Sequence, residues 1–358
     1  MAGARPNGQF AAKVQRHASQ ILTYGDELLQ AQALSLIPVD RLRSEADAAV
    51  AAAGEDQAQP IDPQAALVRA LLDWFKGEFF EWVNSPPCWN CGQGEASRVA
   101  VEAPSEAEAR HDASRTEVYT CLKCGAGIRF PRYNDPAKLL ETRRGRCGEW
   151  ANVFTLFCIA LGLDTRLVVD WTDHVWNEYY SQAKGRWVHM DSCEAAADQP
   201  LLYESGWGKK LTYAVAFHRL GVTDVTRRYT RQWPAVLARR VEADEDWLVR
   251  HLREVTGGMR MGLGSADADE MAERDMFEDA ELETACGEGA GREAESLPGR
   301  TTGSVEWRRA RGELGREEGR DVDAGGVGGG TGGAEAGGID GKDAAGVEGS
   351  EGAGVDGE

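Results

Sequence analysis

The chain lacks any apolar run approaching about 18 residues, so no membrane span is expected. The opening stretch, residues 1–10, is polar and has no apolar core, so a secretory leader is not expected either. A disulfide scaffold is also missing. Four of the eight cysteines form two Cys-x-x-Cys pairs, and Cys147, Cys158, Cys193 and Cys286 stand alone. That usage suits a reducing compartment holding a metal site and a reactive thiol. The expected address is the cytosol, with the nucleus second. The formal charge of −19 suggests an acidic protein, but about 25 acidic against 9 basic residues fall after residue 266. The rest is close to neutral, so nothing argues for a nucleic-acid surface, and neither nucleic acid nor membrane is an expected partner.

What is present divides into three parts. Residues 1–58 carry near-helical apolar spacing (Ile21, Leu22, Leu28, Leu29, Leu34, Ile37) and read as helices packed on the body, or as a projecting helix for a partner. Residues 59–264 form the core. Within it, 65–83 is apolar and aromatic enough for a buried helix, and the paired cysteines lie at 88–124. Residues 165–172, 174–181 and 186–192 read as strands, the last two joined by a turn at Ala183-Lys184-Gly185. Residues 265–358 are acidic and glycine-rich, with 23 of the 43 glycines after Cys286. That composition predicts a tail mostly disordered, its first part to about residue 282 retaining an acidic helix.

Two features carry chemistry. Cys88/Cys91 and Cys121/Cys124 are matched knuckles, each followed by a glycine, and four thiolates complete a tetrahedron around a single structural Zn²⁺ with no open position. A redox dithiol is the alternative. The second feature is Gly145-Arg146-Cys147-Gly148-Glu149-Trp150-Ala151-Asn152, a loop running into an apolar helix that stops at Gly162. A cysteine in the first helical turn feels the positive end of the helix dipole, which favours the nucleophilic thiolate. Of six histidines, His174 and His189 lie on the two strands that follow. An even-numbered hairpin loop puts 174, 176 and 178 on one face with 187, 189, 191 and 193. His174 can then bond Asp191 through Nδ1–H and complete a Cys-His-Asp triad with a cysteine packed on that face. His189 also satisfies the parity, and a plain buried cysteine with structural histidines remains open. Trp171, Trp176, Trp187 and Trp207, with Glu178 and Glu194 among them, suit either a core or a sugar-binding surface.

The cysteine block resembles the first catalytic block of cytoplasmic peptide:N-glycanases, of the transglutaminase-like superfamily. Asp173-His174-Val175-Trp176-Asn177-Glu178 and His189-Met190-Asp191-Ser192-Cys193-Glu194 resemble the second and third. The likeness extends over the knuckles and Tyr203-Glu204-Ser205-Gly206-Trp207, roughly residues 15–282. It implies an α+β, transglutaminase-like fold with a papain-like cysteine nucleophile, its helix packed on an antiparallel sheet, plus a four-cysteine zinc subdomain. It also implies an amidase that cleaves the β-aspartylglucosaminyl bond of N-glycans on misfolded glycoproteins in ER-associated degradation, converting Asn to Asp. Cys147 would attack, His174 would protonate the leaving amine, and Asp191 would orient His174. Trp176, Glu178, Glu194 and Trp207 would contact the chitobiose core, and Trp82 would line the wall of the substrate cleft. Denatured N-glycoproteins are the implied substrate, and a proteasome-shuttle ubiquitin receptor the implied partner of a monomeric enzyme. A non-enzymatic scaffold for misfolded glycoproteins, or a transglutaminase or protease on the same triad, are the competing readings.

Overall fold

A computed structural model describes residues 7–53, 61–285 and 297–315. Helices α1 (Asn7–Thr23), α2 (Glu27–Leu36), α3 (Val39–Ala53) and α4 (Pro63–Trp74) come first. Asp26 and Asp62 cap α2 and α4 by accepting from Leu29 N and Ala65 N, and Pro63 opens α4 where its missing N–H costs nothing. Helix α1 buries Phe10, Val14, Ala18 and Ile21, one helical stripe. Phe10 stacks on Trp171 at 4.6 Å. The N-terminal helices therefore pack on the body.

The helix expected over 65–83 ends early. After α4, a π-helical turn over Phe75–Phe79 leads into an extended segment, β1 (Glu81–Trp82). Phe75 and Phe80 wedge against Trp150. Glu81 N and Val83 N donate to Arg143 O and Gly145 O, so pairing with the cysteine loop replaces helical bonding. Next come β2 (Ala96–Glu102), α5 (Glu106–Ala109), β3 (Ala113–Cys121) and β4 (Gly127–Tyr133), whose strands form an antiparallel sheet in the order β2-β3-β4. Its small core contains Val83, Cys88, Tyr119, Cys121, Ile128 and Phe130.

Helix α6 (Pro136–Thr142) and β5 (Arg144–Gly145), parallel to β1, precede α7 (Cys147–Ala160). Strands β6 (Thr165–Asp170), β7 (His174–Ser181), β8 (Arg186–Asp191), β9 (Ala196–Ala197), β10 (Ala214–His218) and β11 (Gly221–Asp224) build the main sheet. Its order is β11-β10-β6-β7-β8-β9, antiparallel throughout. Helices α8 (Trp233–Arg239), α9 (Glu245–Met259), α10 (Ser265–Thr284) and α11 (Val305–Ala310) complete the described chain. No helix among the described residues is long and apolar enough to cross a membrane.

The sheet has two unlike faces. Leu167, Val169, Tyr179, Val188 and Met190 join Trp150, Phe154 and Phe157 of α7 in the largest core. Asn177 donates to Thr155 Oγ1 at 2.7 Å, fixing β7 to α7. The opposite face carries Val168, Trp176, Ala214 and Ala216, packed with Tyr203, Trp207 and Tyr229.

The C-terminal part departs from the tail expected over 265–358. Helix α10 was expected as an acidic helix, and its Glu278 explains its docking. Glu278 is buried and accepts from Arg166 Nη1 at 2.9 Å and Arg228 Nη2 at 2.8 Å, both on the outer side of the sheet. The segment 297–315, expected to be disordered, is folded against the core. Its anchors are polar: Thr301 and Thr302 donate to Glu194 and Arg311 pairs with Asp173 at 2.7 Å, while Arg300 and Glu313, 2.9 Å apart, tie the segment to itself. Mean composition hides such pairs. The rest of the expected tail, 286–296 and 316–358, lies outside the described residues.

Candidate active site

Cys147 occupies the first turn of α7, with Arg146 as its N-cap residue. Glu149 reaches back to accept from Arg146 N at 3.0 Å, which closes the turn. A Cβ on Gly145 would stand 2.4 Å from Glu149 Cβ, so only glycine fits there. The loop is also held from outside. Arg146 gives a bidentate pair to Glu117 of β3, at 2.8 and 2.9 Å. Arg132 of β4 bonds Glu149 at 2.8 Å and Glu117 at 3.1 Å. This clamp ties the cysteine loop to the three-stranded sheet, and the spacing of the motifs did not reveal it.

The hairpin register agrees with the parity expectation. Glu178 pairs with His189 and Asn177 with Met190, so His174, Trp176, Glu178, His189 and Asp191 share a face. Two details differ. Helix α7 packs on the other face, among the odd-numbered residues of β7, and Cys147 meets His174 at the start of that strand. The ring nitrogen bonding Asp191 Oδ2, at 2.8 Å, is Nε2, not Nδ1. Nδ1 makes no full hydrogen bond and is the atom left for the Cys147 sulfur.

Asp191 is a saturated acceptor. Oδ2 takes His174 and, at 2.9 Å, the Tyr203 hydroxyl; Oδ1 takes the N–H groups of Cys193 and Glu194 at 2.8 and 3.2 Å. Burial alone would raise its pKa, but His174 and these bonds hold it far below the usual carboxylate range. His189 has both ring nitrogens engaged: Nε2 bonds the Tyr203 hydroxyl at 2.7 Å and Nδ1 accepts from Gln199 N at 3.3 Å, while burial pushes its pKa down to about 4. Tyr203 thus links His189 to Asp191, which His174 bonds directly. Its presence in the Tyr203–Trp207 block was the only sequence signal for it.

Burial opposes charge on Cys147 and His174 as well, and electrostatics wins in both. The imidazole holds the thiol below its ordinary pKa, and Asp191 holds the imidazole above its own. Thiolate and imidazolium are therefore favoured together, as nucleophilic catalysis requires.

The residues carried over as sugar contacts, and Trp82, stand differently. Glu178 is fully buried, accepting from Arg228 Nη1 at 2.9 Å and from Arg166 and Tyr229, an internal ion cluster rather than a surface. Trp176 is buried and stacked on Tyr203, with centroids 4.2 Å apart. Trp207 is buried beneath Arg300, 4.7 Å from its centroid. Glu194 receives the N–H and hydroxyl groups of both Thr301 and Thr302, which use every lone pair of its carboxylate. Of the five, Trp82 and Glu194 keep part of their surface. Position matching could not show this, because the 297–315 segment covers Glu194 and Trp207.

The two knuckles converge at the margin of the three-stranded sheet. The four sulfurs lie within 4.8 Å of one another, with Cys88–Cys124 and Cys91–Cys121 each 3.6 Å apart. Ligand bonds of about 2.3 Å in a tetrahedron give nearly that sulfur–sulfur spacing, so the donor set fits one metal ion with no open position.

The pattern of the transglutaminase-like superfamily matches residues 96–192, and that of the Rad4 transglutaminase-like domain matches residues 171–283, so the fold is transglutaminase-like. The peptide-N(4)-(N-acetyl-beta-glucosaminyl)asparagine amidase of Yarrowia lipolytica is 45% identical over 81% of this chain and 80% of its own length. The protein of that name from Arabidopsis thaliana is 43% identical over 90% of this chain and 44% of its own. The chain belongs to the peptide-N(4)-(N-acetyl-beta-glucosaminyl)asparagine amidase family. It spans about half the length of the Arabidopsis thaliana and Gallus gallus relatives it matches. A solved Rad4–Rad23 complex bound to a 6-4 photoproduct UV lesion covers 81% of this chain and 58% of its own at 14% identity, with TM-score 0.48, too remote to bear on activity.

Proposed function

We propose that the chain is a deglycosylating amidase that cleaves the bond between asparagine and N-acetylglucosamine. One observation carries this: a thiol at a helix N-terminus facing an imidazole locked onto a buried, saturated carboxylate. The relatives' shared name supports the substrate class. The Cys147 thiolate attacks the carboxamide carbon of glycosylated asparagine. The Cys147 N–H, free at the first helical turn, is placed to stabilise the tetrahedral oxyanion. As the carbon–nitrogen bond breaks, His174 gives its proton to the leaving glycosylamine. It then takes a proton from water, which attacks the thioester carbonyl. The thiolate leaves, and aspartate remains in the polypeptide.

The four thiolates hold structural Zn²⁺ in this reading, since a closed all-sulfur tetrahedron suits zinc. Zinc would fix the β3–β4 edge, and through Glu117 and Arg132 the cysteine loop. Denatured N-glycoproteins in the cytosol, delivered for ER-associated degradation, are the proposed substrate, and a proteasome-shuttle ubiquitin receptor is a proposed partner of the N-terminal helices. The test is a panel of glycosylated and unglycosylated peptides of one sequence, with wild type and Cys147→Ala. Release of glycan from the glycopeptide by wild type alone supports the reading. Cleavage or crosslinking of the bare peptide favours a protease or transglutaminase, and binding without release favours a scaffold.

A further inference from the structure

Arg300 is a buried cation outside the triad. It is 1% exposed, and its guanidinium lies over the indoles of Trp82, Trp207 and Trp307, 5.5, 4.7 and 4.5 Å from the ring centroids. Nη1 donates to Glu313 Oε2 at 2.9 Å and Nε to Thr302 Oγ1 at 3.3 Å, whereas the buried Nη2 has no partner. An unfilled donor on a buried charge is costly and implies that an anion belongs nearby. The surrounding indoles point to which anion. Trp207 lies 4.9 Å from the His174 ring, so one indole separates the cation from the imidazole, and Trp82 lies 6.3 Å from Trp150 in the helix that carries Cys147.

We propose that Arg300, delivered by the 297–315 segment, is an electrostatic positioning residue for the nucleophile, its charge favouring the Cys147 thiolate. The other charges around the sulfur are largely matched. Arg132 is paired with Glu149 and Glu117, Asp173 with Arg311, and His174 with Asp191. Cys193 stays a neutral thiol because burial raises its pKa. Glu313 is shared between Arg300 and Arg311, so it cancels only part of the Arg300 charge. Burial disfavours that charge, and the thiolate and Glu313 together offset the loss. The anchoring of the segment fits the role: Thr301 and Thr302, next to Arg300, are the residues fastened to Glu194.

The inference rests on Cys147 being the nucleophile, but its test needs no glycoprotein. Loss of the effect would leave the amidase reading intact, and absence of amidase activity would leave the effect readable. The full chain is alkylated with iodoacetamide across a pH series, and modification of Cys147 is read by mass spectrometry. Arg300→Gln should raise the apparent pKa by about one unit, roughly tenfold less thiolate at a fixed pH below it. Arg300→Lys, which keeps the charge but loses the fork, should stay close to wild type. An unchanged pKa in Arg300→Gln, or a Lys variant shifted as far as the Gln variant, would make Arg300 a packing residue and overturn the proposal. If Arg300→Gln does not fold, Glu313→Gln decides. Freed of its counter-ion, Arg300 should lower the Cys147 pKa, and an unchanged or raised value overturns the proposal.

Discussion

Glu117→Gln tests the clamp on the cysteine loop. Glu117 is fully buried and serves two cations, Arg146 through both oxygens and Arg132 through Oε1, with the Tyr119 hydroxyl on Oε2. Neutralising it leaves two largely buried guanidinium groups with one carboxylate, Glu149, between them. Breaking a buried pair from one side costs about 3–5 kcal/mol, because the remaining charge stays desolvated. In a domain of this size that is a fall in Tm of about 6–20 °C, at roughly 2–4 °C per kcal/mol. The pH dependence gives a sharper check. Burial alone would raise the Glu117 carboxyl, but Arg146 and Arg132 hold it at about 2. A depressed carboxyl stabilises the fold above its unfolded pKa, near 4.3, and loses that contribution as pH falls toward its folded pKa. The Tm gap between wild type and Glu117→Gln should therefore be full at pH 6 and narrow steadily between about pH 4 and 2. Thermal unfolding by circular dichroism reads both quantities. A gap under about 2 °C at pH 6, or one independent of pH, would refute the clamp.

Asp191→Asn should lower kcat about 10³–10⁴-fold with KM little changed, since the carboxamide can no longer hold His174 and Tyr203 as a pure acceptor; steady-state kinetics on a glycopeptide checks this. Removing the metal with a strong chelator should lower Tm and slow alkylation of Cys147 together, because the thiolate cluster and the clamp share one small sheet; elemental analysis should find one zinc per chain. Gly145→Ala should cost about 1–3 kcal/mol in a denaturant titration, because its Cβ would collide with Glu149.

Much of the site was legible because its logic is local. Two cysteine knuckles, a cysteine before an apolar helix and a hairpin of fixed parity are all sequence-periodic features, and the structure brings their residues together. Which imidazole nitrogen meets Asp191 was not legible, because it depends on how α7 approaches the start of β7 from the opposite face of the sheet. The fold of 297–315 was hidden by glycine- and charge-rich composition, although its anchors are single residues: Thr301, Thr302 and Arg311. The sugar contacts were transferred by position alone. Position did not reveal that Glu178 neutralises Arg166 and Arg228, or that Glu194 is filled by the segment lying over it. Tyr203 and the Glu117 clamp are long-range contacts with no spacing signature at all.

In the proposed reaction Cys147 cleaves the glycan-bearing amide and leaves aspartate behind. Incubating a denatured glycoprotein in ¹⁸O-water and sequencing the glycosylation-site peptide by mass spectrometry tests it most directly. The expected product is an unglycosylated aspartate carrying one ¹⁸O, about three mass units above the asparagine peptide, and none of it with Cys147→Ala. A peptide still bearing N-acetylglucosamine, or aspartate formed equally by Cys147→Ala, would contradict it.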